Sequence, residues 1–548
     1  MYPIAVTLLF LMSLLPAAIQ AQPNRSTIDS TSNFPLSSCL LSKNIKNFTY
    51  RSNSSSSQYM QLLTFSIQNL RFSLPSTPKP AVIIYPLSRH QLQHAVLCLR
   101  QSSLTIRVRS GGHSYEGLSY TTSYHTPFGI IDLTNLNRVQ VDPSSATAWV
   151  EAGATVGEIY YNVAVKSNGT LGFTAGSCTT VGSGGHISGG GFGLLSRKYG
   201  LAADMVLDVI FIDPNGRVLN RSLMDEDVFW AVRGGGGGSW GVVYAWKLQL
   251  VSVPNQVTWF NIYKSGLIEP LADLVHKWQY VGPSLPDEFF LRTVISGLED
   301  GNGSVSFAGL YLGPKGSAFS ILSERYPELR ISESDLEEMS WIESTVKAAL
   351  INSVSDLRNR STNPKNFFKA KSDYVQTPIS KEGLIGAIKF LTKEPNAYII
   401  CSPYGGVMAR IGGTDLPFPH RAGNLYNIQY MIDWTKANEG MKDSYIAWLR
   451  DFYEYMGSFV SKNPRAAYVN YLDLDLGTNN WTTGTSSTVD DLNHARLWGN
   501  GYFLWNYDRL VRAKTKIDPE NVFNNEQSIP PLSKKDGSWE NQIGIAYN

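Results

Sequence analysis

Cysteine is scarce in this chain, with four residues in 548, at Cys39, Cys98, Cys178 and Cys401. So low a count excludes a fold stapled throughout by disulfides, the solution of small exported domains whose cores are too small to hold them. Charge is sparse as well. Charged residues make up 17% of the chain and the formal net charge is +2, which gives no basic field able to hold a nucleic acid or an anionic membrane surface. Past the N-terminus no apolar run reaches the ~18 residues of a membrane span. Internal repeats are missing too, as is any low-complexity tract beyond a few glycine runs. No metal site is expected.

Hydrophobic residues account for 43% of the chain, enough for a large globular core. Residues 2–21 form an apolar stretch ending in small residues, which predicts a signal peptide over 1–21. Eight Asn-x-Ser/Thr sequons agree with export, at Asn24, Asn47, Asn53, Asn168, Asn220, Asn302, Asn359 and Asn480. Secretion to the wall is the default destination, and a vacuolar route shares the same entry signal. Cys39 and Cys98 are expected to bridge the N-terminal arm to the first domain, and Cys401, in an apolar run, reads as a buried thiol.

Residues 22–74 read as a Ser/Asn-rich arm with a helix over 57–68, and from 75 the texture becomes mixed α and β. AVIIYPLS reads as a buried strand, SRHQLQHAVLCLRQS as a helix, and LTIRVRSGG as a strand entering a glycine turn. GIIDLTNLNRVQVD and TAWVEAGAT read as paired strands. After about residue 253 glycine thins, aromatics rise, and strands such as VTWFNIYK and EFFLRTVISG alternate with helices, which predicts an antiparallel sheet backed by helices over 253–475. In 476–535 a single long helix, RLWGNGYFLWNYDRLVRAKTKID, precedes a tail, DPENVFNNEQSIPPL, that returns to the first domain.

Glycine is concentrated where ordinary elements would avoid it: RVRSGGHSYEGLSY at 107–120, GSCTTVGSGGHISGGGFG at 176–193, and a run at 234–238. Such loops give up side-chain packing, which is explained if backbone N–H groups converge on an anionic ligand. A Rossmann turn fits poorly, because the glycines at 182–191 run on without a helical continuation. Several loops closing around an extended dinucleotide fit better.

The phrases RSGGHSYEGLSY, GSCTTVGSGGHISGGGFG, RGGGGGSWG, FPHRAGNLYNIQY, YVNYLDLDLG and DPENVFNNEQSIPPL together resemble the plant berberine bridge enzyme-like family, flavoproteins of the vanillyl-alcohol oxidase type. The resemblance implies an α+β fold: a two-part FAD-binding domain over 75–252, a substrate domain over 253–475, and a C-terminal segment. It implies FAD held by two covalent bonds, from His113 and Cys178. Ser110, Gly111, Gly112, Ser114, Val181, Gly182, Gly185, Gly189 and Gly193 would complete the cofactor cage, with His186 lining it in a structural role. Two links withdraw electron density from the ring and make it a stronger hydride acceptor. Val181, three residues after the cysteine, goes in this family with oxidases, so dioxygen is the expected acceptor and hydrogen peroxide the product.

On the substrate side the resemblance makes Tyr471 the group that deprotonates a substrate hydroxyl, with Tyr115 and Gln429 beside it. Alternation in YVNYLDLDLG predicts a strand with Tyr471 and Val469 on one face, and Tyr468 reads as packing. A phenol with a pKa near 10 needs cations or donors to act as a base. Two departures qualify the likeness. Relatives resembling berberine bridge enzyme itself carry a glutamate at Gln429, and monolignol-oxidising relatives carry a lysine at Asn427. The expectation is an oxidase of a small aromatic, phenolic or alkaloid-like metabolite. A carbohydrate or monolignol oxidase, a redox-neutral cyclase, and a glycoprotein with a vestigial flavin are the alternatives. Oligomeric state is not legible.

Overall fold

The computed structural model describes residues 35–51, 57–124, 126–362, 364–479 and 489–532. The expected signal peptide and Asn24, Asn53 and Asn480 lie outside these residues. Asn168 and Asn359 are exposed, and Asn47, Asn220 and Asn302 are half-buried.

Val82–Ile84 is a short run of β-branched residues, stiff at χ1 and suited to a buried strand. It pairs in parallel with Phe128–Asp132, which pairs in parallel with Thr105–Arg109. Phe48–Tyr50 of the arm adds an antiparallel edge. The crossover helix Arg89–Gln101 is capped by Ser88, whose side chain accepts from the Gln91 N–H, and it buries Leu92, Ala95, Val96 and Leu99 against the sheet. Cys98 on this helix is bonded to Cys39 on the arm helix Pro35–Ser42. Cys401 is a buried thiol.

A second, antiparallel sheet runs Val139–Asp142, Thr147–Glu151, Val242–Gln249, Val206–Ile212, Val218–Leu219. Here the expected pairing of 129–142 with 147–155 divides. Val139–Asp142 does pair with Thr147–Glu151, but Phe128–Asp132, buried at every residue, is an inner strand of the parallel sheet.

The third sheet has seven strands, all antiparallel, in the order Leu336–Met339, Val257–Gly266, Gly303–Tyr311, Phe289–Gly297, Ala397–Pro403, Tyr426–Trp434, Phe367–Val375. The helices Ile268–Ser284, Lys381–Leu391 and Lys442–Met456 cover one face and share its core. Along Tyr426–Trp434, Tyr426, Ile428, Tyr430 and Ile432 belong to that core. The two-residue period therefore sends Asn427, Gln429, Met431 and Asp433 to the opposite face.

The structure corrects four local expectations. The helix placed at 57–68 ends at Thr64. The long C-terminal helix is two helices, Val489–Phe503 and Tyr507–Ile517, separated at Leu504, whose φ of 47° lies in the left-handed region and cannot continue a helix. YVNYLDLDLG is no strand: Val469–Tyr471 and Leu474–Leu476 are 3-10 turns, the first closed by the Tyr471 N–H donating to the Tyr468 carbonyl at 2.8 Å. The glycines after 182 do lead into a helix, Ser183–Ser188, whose start is tied down by a bridge between Gly182 and Thr155.

The C-terminal segment lies against the first domain. Arg107 reaches Glu526 in a fully buried pair at 3.2 Å, and Glu526 also accepts from Thr122 and from the Ser123 N–H. Buried Lys514 pairs with Asp518 and donates to the Ser239 carbonyl. Among the described residues, no helix is long and apolar enough to cross a membrane.

Candidate functional site

A cavity of about 470 Å³ opens between the glycine loops and the free face of the seven-stranded sheet. Its first wall is backbone. Ser110, Gly111, Gly112, His113, Ser114, Cys178, Val181, Gly182, Gly185, His186, Gly193 and the run 235–238 all line it. Gly189 lies outside the lining; a side chain there would strike the Asn470 amide at 2.0 Å.

The glycines divide by what a methyl group would meet. At Gly111 it would fall 2.2 Å from the Gly182 N, so this pair lets two loops touch. Gly193, against the Ala175 carbonyl at 1.7 Å, is of the same kind. Gly185 meets nothing within 4 Å: its Cα opens onto empty space. Close packing of one loop on another is thus a second use of these glycines, alongside lining the cavity.

His113 sits at the end of the first loop with Nε2 2.8 Å from the Thr180 hydroxyl. Burial, reinforced by His186 and Lys365, lowers its pKa to about 3, so the imidazole is neutral and nucleophilic near neutrality. Cys178 is half-buried, lines the same cavity and is not in a disulfide. His186 accepts from the Gly176 N–H at Nε2, 3.1 Å away, and burial lowers its pKa to about 4. A neutral imidazole and a thiol facing one cavity, with an open glycine backbone between loops, fit a flavin dinucleotide.

The second wall is made of side chains. Tyr471 stacks on Tyr115, ring centroids 5.6 Å apart and planes 6° from parallel, and Tyr115 packs edge-on against Phe368. Gln429 donates its amide N–H to the Tyr115 oxygen at 2.6 Å. Tyr468, read as packing, accepts from the Gly191 and Phe192 N–H groups and from Asn470, stapling the 3-10 turn to the glycine loop. Asn427 is turned away, donating to the Asp373 carbonyl.

Arg292, from Phe289–Gly297, also lines the cavity, and its Nε has no hydrogen-bond partner among the described residues. Burial and Tyr468 push the Tyr471 phenol above its ordinary range while Arg292 pulls it down. Arg292 is thus a cation acting on Tyr471 from another strand than the one that carries Asn427. Its signal was present in the sequence: Arg292 is the single charge in FFLRTVISG, a strand that otherwise reads as buried.

Behind the tyrosines lies a buried ionic lattice that sequence reasoning missed altogether. Lys369 meets Glu116, the residue after Tyr115, and Asp473, two residues after Tyr471, the latter at 2.7 Å. Lys371 meets Asp473 at 2.5 Å and Asp475 at 2.9 Å, and Arg450 closes on Asp475 from outside. One strand of lysines thereby fixes the two loops that carry the stacked rings.

Comparison with known proteins agrees with this geometry. A family model described as FAD binding domain matches residues 80–222, and one described as berberine and berberine like matches 467–530. Berberine bridge enzyme-like D-2 of Nicotiana tabacum is 50% identical over 526 residues, 92% of this chain and 93% of that protein. Reticuline oxidase of Papaver somniferum is 48% identical, over 91% of this chain and 92% of its own. The solved structure of berberine bridge enzyme from Eschscholzia californica superposes with a TM-score of 0.89 at 47% identity, covering 91% of this chain and all of that one.

Proposed function

The chain belongs to the berberine bridge enzyme-like family of FAD-linked oxidoreductases, and from that premise we propose that it is an oxidase of a small, flat aromatic metabolite with dioxygen as acceptor. One observation carries the reading: a stacked pair of tyrosines, Tyr471 on Tyr115, faces the cavity that His113 and Cys178 also line. Bound FAD would supply the acceptor for a hydride and pass both electrons to oxygen, giving hydrogen peroxide.

His113 and Cys178 are the residues that would hold the ring, and neutrality of the imidazole supports the histidine link. Tyr471 removes the substrate's hydroxyl proton. Arg292 stabilises the Tyr471 phenolate that takes up this proton, and Gln429 orients Tyr115 through its amide N–H. Glutamine holds no proton-accepting carboxylate, which directs base chemistry to the tyrosine. Aromatic walls suit a flat substrate by stacking. Val181 beside the cysteine supports access for oxygen. Residues 75–252 act as the cofactor domain, 253–475 as the substrate domain and 476–535 as the returning tail. The apolar stretch at 2–21 and the sequons support entry into the secretory pathway.

Acid-precipitated protein should remain yellow and carry one flavin mass. The double variant His113→Ala, Cys178→Ala should lose it, each single variant keeping one bond. Anaerobic mixing with aromatic alcohols and amines should bleach the visible band, and in air oxygen uptake should equal peroxide formed. Bleaching by sugars alone, or turnover without oxygen uptake, would overturn the assignment.

A further inference from the structure

Arg292 is a cation that lacks an anion. Half-buried in Phe289–Gly297, it lines the cavity, and its Nε is enclosed without a hydrogen-bond partner. Among the described residues no carboxylate pairs with its guanidinium, and the titratable group that acts on it is the Tyr471 phenol. Elsewhere the fold does not leave such groups open. The buried arginines Arg107, Arg109 and Arg421 close on Glu526, Asp132 and Asp204, and Arg197 donates to the carbonyls of Leu285 and Tyr404.

An unpaired guanidinium held away from bulk water is unfavourable until an opposite charge reaches it. Its planar fork of N–H donors matches a carboxylate through two parallel hydrogen bonds, a match that a lone ammonium does not offer. Phe290, two residues earlier on the same face of the strand, lines the cavity together with Tyr115 and Tyr471, so a flat ring joined to that carboxylate would lie among aromatic walls. We infer that Arg292 is the docking point for an aromatic carboxylate, which takes the substrate's place and withdraws from Tyr471 the cation on which its phenolate depends, so that the bound acid silences the enzyme. This adds a regulation to the oxidase reading above and rests on it for the role of Tyr471.

The direction of the effect follows from charge. Arg292 draws the Tyr471 phenol down. A carboxylate seated on Arg292 cancels that pull and adds a negative charge beside the phenol, and both changes hold the phenolic proton in place. Tyr471 in that state accepts no proton from a substrate.

Benzoate and benzamide share a ring and a shape and differ in charge. Titration calorimetry of the purified, flavin-loaded full-length protein at pH 7 should show benzoate binding about tenfold tighter than benzamide. Arg292→Met should abolish that preference and leave benzamide binding unchanged, while Arg292→Lys, which keeps the charge and loses the fork, should retain part of it. Benzoate should also inhibit oxidation competitively, and more strongly than benzamide. No detectable binding of benzoate, equal affinity for the two compounds, a preference that survives Arg292→Met, or binding without inhibition would each overturn the proposal. Heat of binding needs no turnover, so a protein that oxidised nothing would sink the oxidase reading while the anion site stood, and the reverse.

Discussion

On the side of the first domain the cavity is walled by backbone: glycines, a neutral histidine and a thiol, with no charged side chain among Ser110 to Ser114 or Gly182 to His186. On the side of the sheet it is walled by long side chains that come from distant parts of the chain and are fixed by charge, Tyr115 and Tyr471 in front, Lys369, Glu116 and Asp473 behind. The first wall has little freedom to change, because Gly111 touches Gly182 and Gly193 touches Ala175 with no room for a methyl group. The second presents replaceable side chains on a rigid strand ladder. A scaffold divided in this way can keep one cofactor and change substrates.

The contrast is broken most severely at Tyr471. Tyr471→Phe keeps the stack on Tyr115 and removes the base, so kcat should fall by about 10²–10⁴-fold while the flavin stays attached and the melting temperature holds. Loss of the ascending limb of the pH profile, on which rate rises with pH, is the signature. A variant that kept both rate and limb would move the base elsewhere.

Lys369→Met tests the lattice behind that wall. Glu116 and Asp473 would lose their shared cation and keep only Arg71 and Lys371, a change that costs up to about 3 kcal/mol, read from denaturant unfolding. Because Glu116 follows Tyr115 and Asp473 trails Tyr471 by two residues, KM and kcat should worsen together. Stability lost with kinetics intact would make the lattice a fold element only.

Arg292→Met is the gentler probe. Arg292 pulls the Tyr471 phenol down, so its removal lets the pKa rise, and the pH at which the base becomes available moves upward. Near neutrality a smaller fraction of phenolate is present, and kcat should drop on the order of tenfold, recovering as pH increases. Arg292→Lys should restore part of it.

How much of this was legible in the sequence follows the same division. The glycine wall is written in contiguous letters, so its residues could be named together; what each missing side chain makes room for was not legible, since Gly111 and Gly185 look alike until their neighbours are known. The sheet wall is assembled by register. Arg292, Gln429 and Lys369 sit on three strands separated by long stretches of chain and share one sheet only because Phe289–Gly297, Ala397–Pro403, Tyr426–Trp434 and Phe367–Val375 pair in that order. Alternation misled at 469–471, where YVNY has the period of a strand but closes as a turn because Tyr468 is held by the glycine loop.

The smallest change separates the two kinds of glycine within the first wall. Gly185 has a negative φ in the helix Ser183–Ser188 and empty space before its Cα, so Gly185→Ala relieves a helix of a glycine and should leave apoprotein stability unchanged or raised by up to about 1 kcal/mol. The added methyl would project where a ligand's backbone-hugging surface belongs, so the fraction of protein carrying flavin, read from the ratio of visible to ultraviolet absorbance, should fall. Gly111→Ala should do the reverse, lowering stability at once because the methyl meets the Gly182 N at 2.2 Å. If Gly185→Ala loaded flavin as well as the parent, the open backbone at 185 would be no part of the cradle, and the cofactor's path would have to be drawn along the 235–238 run instead.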